Sequence, residues 1–261
     1  MKAVVLKEYG GPEKLKFEDN VAEPQVNGNT VLIAATAASV NPIDWKMRSG
    51  SRKKDFPLSF PAILGRDVSG VVRAVGPEVK HFKPGDRVLA LSNATYAELV
   101  AVKDSDVTHL PDGLEITDAA AIPLISLTGD QVVRVATNVQ KGQVVLITGA
   151  LGSVGRAAVH TAKKIGATVI AGVRRKEMDE ACSLGVSDVL AIDDDEAIKK
   201  FQSVDAISDT VGGDVAAKLL TKVKQGRFLW LYGIRAGGLS RETSNNKDQT
   251  SSCAARPIEG S

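Results

Sequence analysis

The chain is expected to be an α/β protein in two parts, a compact domain of short strands followed by a doubly wound parallel sheet. Three observations predict this. The first ~120 residues carry brief apolar runs cut by Gly and Pro, the pattern of a small β-barrel. From Leu124 onward, apolar strand runs alternate with helix-like segments, the pattern of a parallel sheet covered on both faces. Between the first of those runs and its helix lies a glycine-rich loop, residues 149–155.

Taken in order, Ala3–Leu6 is a strand halted by Gly10-Gly11-Pro12, and 30–36 (TVLIAAT) and 68–75 (VSGVVRAV) follow it. Lys83-Pro84-Gly85-Asp86 is a turn, because Pro and Gly each supply a dihedral the turn needs. It leads into Arg87–Leu91, and 96–102 (YAELVAV) closes the set. The texture then changes. A helix over 126–137 precedes the apolar strand 143–148, and further strands begin at Thr168, Asp188, Val204 and Arg227, five in all. Helices fill the gaps: 156–165, with Ala158, Val159, Ala162 and Ile165 on one face, 176–184 closed by Gly185, and 215–224 closed by Gly226. In residues 239–261, ten of 23 are Ser, Thr, Asn or Gln without periodicity, too little apolar surface to offset the ordering entropy. That segment is expected to be disordered or foreign to the fold.

Composition narrows the function. Of 261 residues, 43% are hydrophobic and 25% charged, ordinary for a globular protein, which excludes global disorder. Lys and Arg number 33 against 31 Asp and Glu, a net charge of +2 with the signs interspersed, so no nucleic-acid footprint emerges. Two cysteines make neither a disulfide scaffold nor a four-cysteine zinc site. There is no signal-peptide pattern, and no apolar run reaches the ~18–20 residues of a membrane span. These features predict a soluble cytoplasmic protein that contacts neither nucleic acid nor membrane.

The glycine loop carries the chemistry. Gly149-Ala150-Leu151-Gly152-Ser153-Val154-Gly155 stands between strand and helix, as a dinucleotide fingerprint requires: a tight turn, close approach of backbone to pyrophosphate, and amide donors at a helix N-terminus. Ala150 occupies the first glycine position of G-x-G-x-x-G, a departure of one methyl group. A packing turn is the alternative reading. Beyond the second strand, where an NAD site offers an acid to the ribose, the chain has Arg174-Arg175-Lys176 and no acid before Glu177. Cations there suit a 2′-phosphate and favour NADPH; a solvated helix start is the bland alternative.

Several segments together resemble the zinc-independent medium-chain dehydrogenase/reductase superfamily, in its quinone oxidoreductase (zeta-crystallin-like) branch. They are 39–44 (SVNPID), 64–72 (LGRDVSGVV), 75–76, 82–88 (FKPGDRV), 96–98 (YAE), 121–128, the glycine loop and 205–213 (DAISDTVGG). The match covers about residues 1 to 235 and fades after Gly233. It implies a GroES-like β-barrel substrate domain, residues 1–123, and a Rossmann NADP-binding domain, 124–238, that lacks its last strand and the return segment of the family fold, with 239–261 a non-family tail. The active site would lie in the cleft between the domains.

The resemblance also implies roles. Asn41 and Arg66 stand where zinc-dependent members carry a Cys and a His ligand, and neither is a usual zinc ligand, so no metal is expected. Asn41 would lie near the nicotinamide, or serve only as a turn residue before Pro42. Thr128 matches a threonine beside the nicotinamide carboxamide, the alternative being a hydroxyl turned to its own helix. Thr210 would lie at the carboxyl edge of the sheet, where Asp209 and Asp193 serve as turn or cap residues. Gly50 is followed by Ser51-Arg52-Lys53-Lys54, without the tyrosine that enoyl-reducing relatives carry there. The expected function is NADPH-dependent hydride transfer to a quinone or α,β-unsaturated carbonyl; the resemblance offers a homodimer along a Rossmann edge, with the oligomeric state left open. The alternative is a non-catalytic NADPH-binding remnant.

Overall fold

The structure is a computed structural model and describes residues 1–231. Its first part contains β1 (Ala3–Leu6), β2 (Leu15–Glu18), β3 (Thr30–Ala38), α1 (Pro42–Arg48), β4 (Ala62–Ile63), β5 (Asp67–Val75), β6 (Arg87–Leu91), β7 (Leu99–Lys103) and β8 (Val107–His109). An antiparallel sheet runs β7-β3-β5-β6-β8, and a smaller one runs β2-β1-β4. An Ala3–Ala97 bridge and the Val4 amide donating to the Tyr96 carbonyl (2.8 Å) join β1 to the approach to β7. Alternate positions of β3 and β5, including Val31, Ile33, Val68 and Val72, meet Val88 and Val100 in one apolar core.

After α2 (Ile116–Ala119), which packs on β3 and β5, the second part opens with α3 (Pro123–Gln131), continues as a π-helical segment Val132–Ala136, and enters β9 (Val144–Thr148). It proceeds through α4 (Ser153–Ile165), β10 (Thr168–Val173), α5 (Met178–Cys182), β11 (Asp188–Ala191), α6 (Asp195–Lys200), β12 (Val204–Asp209), α7 (Gly213–Leu219) and β13 (Val223–Leu231). The parallel sheet has the order β11-β10-β9-β12-β13. The five expected strands are all present. Strand β9 is apolar from Val144 to Ile147 because both faces are covered: Val145 and Ile147 face Ala158, Val159 and Ala162 of α4, whereas Leu146 faces Ile198 of α6 and Leu219 of α7. Full burial of Leu146 and Ile147 is worth roughly 1.5–3 kcal/mol each.

Several boundaries differ from expectation. The helix expected over 126–137 begins at Pro123, which suits the first helical position, and widens to π geometry from Val132. The helix expected over 215–224 ends at Leu219, and a 3-10 turn delivers Val223 into a strand expected only from Arg227. Pairing with β12 explains this. Val204 already partners Val223, and β13 then bulges before Phe228 meets Ala206. Gly226 therefore lies within the strand and caps nothing. α1 and α6 are helices that the apolar pattern did not signal. Segment 239–261 and the 238 boundary lie outside the described residues.

Candidate functional site: a dinucleotide cradle beside a buried carboxylate cluster

The strand order changes direction at β9, since β10 lies on one side of it and β12 on the other. Ligands of open parallel sheets bind at such a switch point, outside the carboxyl ends of the strands. The glycine loop is there. Gly149 takes φ +62°, a left-handed conformation, and a Cβ on it would lie 2.5 Å from Thr210 Oγ1. The tight turn therefore belongs to Gly149. Ala150, the one departure from the fingerprint, is fully buried with its methyl in the core under α4, where a side chain is wanted.

Gly155 packs just as closely, for a Cβ there would sit 2.1 Å from the Gly149 carbonyl oxygen. Gly152 differs. It is exposed, adopts an ordinary φ of −70°, and a Cβ would meet only Gly149 O at 3.2 Å. Its bareness leaves the outer side of the loop open. Gly152 is the N-cap of α4, no side chain caps that helix, and no acid stands in its first turn of Ser153, Val154 and Gly155. A thirteen-residue helix with bare leading amides and a smooth approach fits a pyrophosphate.

Arg174, Arg175 and Lys176 follow β10 and are exposed, yet the arginines are engaged. Arg174 pairs with Glu177 and Arg175 with Asp194. The Arg174 guanidinium holds the Glu177 carboxyl below its ordinary range, and Glu177 in turn raises Arg174. Asp193 accepts from the Arg175 amide (2.7 Å), fastening the loop after β10 to the end of β11 rather than turning its own loop. Asp209 does make a turn, accepting from the Gly212 amide (2.8 Å) and the Val211 amide (3.3 Å), and it also takes the Thr148 hydroxyl. Thr210 is at the sheet edge, where its hydroxyl donates to the Thr148 carbonyl (2.7 Å).

Asn41 precedes α1 and is buried. Its Nδ2 donates to Asp67 Oδ2 (2.7 Å) and Ser39 Oγ (2.8 Å), which fixes the amide's orientation. Asp67, wholly buried at the start of β5, accepts from the Ser39 hydroxyl and, through Oδ1, from the Leu124 amide at the head of α3 (2.7 Å). One turn along, Thr128 Oγ1 donates to the Leu124 carbonyl (2.7 Å), its hydroxyl turned to its own helix. Asp67 thus brings Asn41 and Thr128 into one neighbourhood. The opposite flank of α3 lies on α4, where a Cβ on Gly129 would sit 2.5 Å from Ala157 Cβ. The Asn41–Thr128 cluster and the glycine loop are therefore linked through two packed helices.

Beside Asn41, the buried Asp44 accepts from the Asn41 amide (2.7 Å) and the Tyr96 hydroxyl (2.9 Å) through Oδ2, while Oδ1 is buried without a partner. Burial pushes the Asp44 carboxyl up, and burial together with the bond to Asp44 pushes the Tyr96 phenol up. Arg66 bonds to Asn93. Among the described residues, no three His, Cys, Asp or Glu side chains converge as a metal would need, and no helix is long and apolar enough to cross a membrane. Asp67 and Asp44 are members of this candidate site that sequence reasoning left without a role. An acid opening the apolar run 68–75 was the available signal.

Comparison with known proteins places these features in context. Residues 27–112 match the model of the alcohol dehydrogenase GroES-like domain. The mouse mitochondrial NAD(P)H oxidoreductase is 36% identical over 250 residues, 86% of this chain and 63% of the relative. The chloroplastic NADPH-dependent alkenal/one oxidoreductase of Arabidopsis thaliana is 34% identical over 241 residues, 87% of this chain and 61% of the relative. The structure of the quinone oxidoreductase from Coxiella burnetii superposes with a TM-score of 0.76 at 33% identity, covering 86% of this chain and 73% of that one. The chain spans roughly three fifths of the length of the first curated relatives it matches. A GroES-like domain, a five-stranded parallel sheet with its glycine loop at the switch point, and these likenesses together show that the chain belongs to the medium-chain dehydrogenase/reductase superfamily, with quinone oxidoreductases among its relatives.

Proposed function

We propose that the protein is an NADPH-dependent oxidoreductase that delivers hydride to a quinone or an α,β-unsaturated carbonyl without zinc. The carrying observation is the uncapped N-terminus of α4 above a loop whose Gly152 leaves room for a ligand. The names of the relatives support the class: NAD(P)H oxidoreductase, NADPH-dependent alkenal/one oxidoreductase and quinone oxidoreductase. Arg174, Arg175 and Lys176 would face the 2′-phosphate, and the amides of Ser153, Val154 and Gly155 the pyrophosphate. Asn41, Thr128 and Thr210 would border the nicotinamide, which supplies the hydride when the cofactor is bound. Asn41 is fixed in orientation by its Nδ2 bonds to Asp67 and Ser39. Asn41 and Arg66 are poor zinc ligands and both are held by other side chains, which supports a metal-free reaction. We further propose a homodimer formed along the Rossmann sheet edge.

The test pairs NADPH fluorescence titration with steady-state oxidation of NADPH by a panel of quinones and enones, before and after strong chelation. The expected result is tighter binding of NADPH than NADH and turnover indifferent to the chelator. Binding without turnover would favour the alternative of a non-catalytic NADPH-binding protein. Equal affinity for the two cofactors would remove the assignment of the arginines.

A further inference from the structure

Arg174 and Arg175 each reach the sheet edge already holding an acid. Each of those acids divides its oxygens between two tasks. Asp194 Oδ1 caps α6, accepting from the Glu196 amide (2.9 Å) and the Ala197 amide (3.2 Å), while Oδ2 faces the Arg175 guanidinium. Glu177 Oε2 accepts from the Arg174 backbone amide (3.2 Å), while Oε1 faces the Arg174 guanidinium. One oxygen of each pair holds the backbone, and the other is free to exchange partners. The arginine side chains are 58% and 67% exposed, so either can swing outward without uncovering any core.

We propose that Glu177 and Asp194 are specificity-determining residues. They compete with a 2′-phosphate for the two guanidinium groups, and so set how strongly the chain discriminates a 2′-phosphorylated dinucleotide from an unphosphorylated one. The inference rests on the NADPH reading above. Charge supports it. Arg174, Arg175 and Lys176 are matched one for one by Glu177, Asp193 and Asp194, so the edge attracts no anion through net charge. A phosphate must displace carboxylates, and its gain is the difference between bidentate guanidinium–phosphate pairing and the ion pairs it replaces. Exposed pairs of this kind are weak enough to be exchanged. An unphosphorylated ribose has no anion to exchange and leaves both pairs in place.

The experiment uses the full chain with adenosine 2′,5′-bisphosphate and adenosine 5′-monophosphate as probes in titration calorimetry. Glu177→Gln keeps an amide oxygen for the Arg174 backbone, and Asp194→Asn keeps an equally good helix cap, so both variants should hold their thermal midpoints. Each should raise affinity for the bisphosphate about two- to fivefold, the range expected when an exposed ion pair no longer has to be broken, and leave the monophosphate unchanged. Unchanged bisphosphate affinity in both variants, with Arg174→Ala still weakening it, would overturn the competition while sparing the cofactor assignment. If Arg174→Ala and Arg175→Ala leave bisphosphate affinity untouched, the cofactor assignment itself falls and the competition with it. A parallel rise for both probes would also overturn the proposal, since it would report charge alone.

Discussion

The three glycines of the loop have distinct physical roles, and substitution can tell them apart. Gly155 has no room for even a methyl group, so Gly155→Ala should lower stability by about 1–3 kcal/mol through overpacking. Gly152→Val, whose Cβ would meet only the Gly149 carbonyl oxygen at 3.2 Å, should change the urea midpoint far less than Gly155→Ala while weakening NADPH at least tenfold. Loss of stability in both variants, or of binding in neither, would refute the division. Asp44 makes a prediction about pH. Its carboxyl is raised above its ordinary value of 3.8, so the folded chain binds more protons than the unfolded one in that window. Its contribution to stability is therefore greatest below 3.8, falls as pH rises through the raised value, and is constant above it. The wild-type and Asp44→Asn unfolding curves should separate over that window, with the wild type losing ground as pH rises. A constant difference between them would contradict this. The glycines and arginines were legible in the sequence because their chemistry is local. The acids that hold the arginines were not all so: Glu177 is three residues from Arg174, but Asp194 reaches Arg175 from the end of a different strand.

α3 joins the parts of the site. Its leading amide is held by Asp67, its Thr128 hydroxyl lies one turn on, and its Gly129 flank rests on α4. Asp67→Ala would take the acceptor from the Leu124 amide, the Asn41 amide group and the Ser39 hydroxyl at a buried position. The expected cost is about 3 kcal/mol in denaturant unfolding, with weaker NADPH binding through the displaced Asn41 and Thr128. Asp67→Asn, which keeps an acceptor for Leu124, should recover much of the stability. Equal losses in the two variants would mean the bonds carry little. Sequence patterning finds such elements well where one face is apolar over three turns, as in α4, or where both faces are apolar, as in β9. It fails where pairing decides, as at Val223, which leaves a helical turn because Val204 is its partner. It also fails at α1, where Pro42 and the reach of Asp44 back to the Asn41 amide start a helix that has no apolar stripe.

Over the whole chain, the sheet order and the placement of the loop at its reversal follow from alternation of strand and helix, which is why the architecture was readable. The neighbourhood of Asn41, Asp67 and Thr128 was not, because it unites residues separated by up to 87 positions, and such contacts leave no period in the sequence. Residues 239–261 have a composition that predicts little contribution to folding, so their removal should change stability by no more than ~0.5 kcal/mol. Unfolding of the shortened chain would show otherwise. The buried Asp67 has a further consequence, for cooperativity. Its carboxylate belongs to the first domain, but one of its hydrogen-bond donors, the Leu124 amide, belongs to the helix that leads into the second. Were the parallel sheet to melt alone, that carboxylate would keep its burial and lose a donor, a state of high free energy. Partial melting is thus penalised from both sides. Scanning calorimetry should record a single endotherm, and amide exchange at Leu124 should be as slow as that of the β9 core.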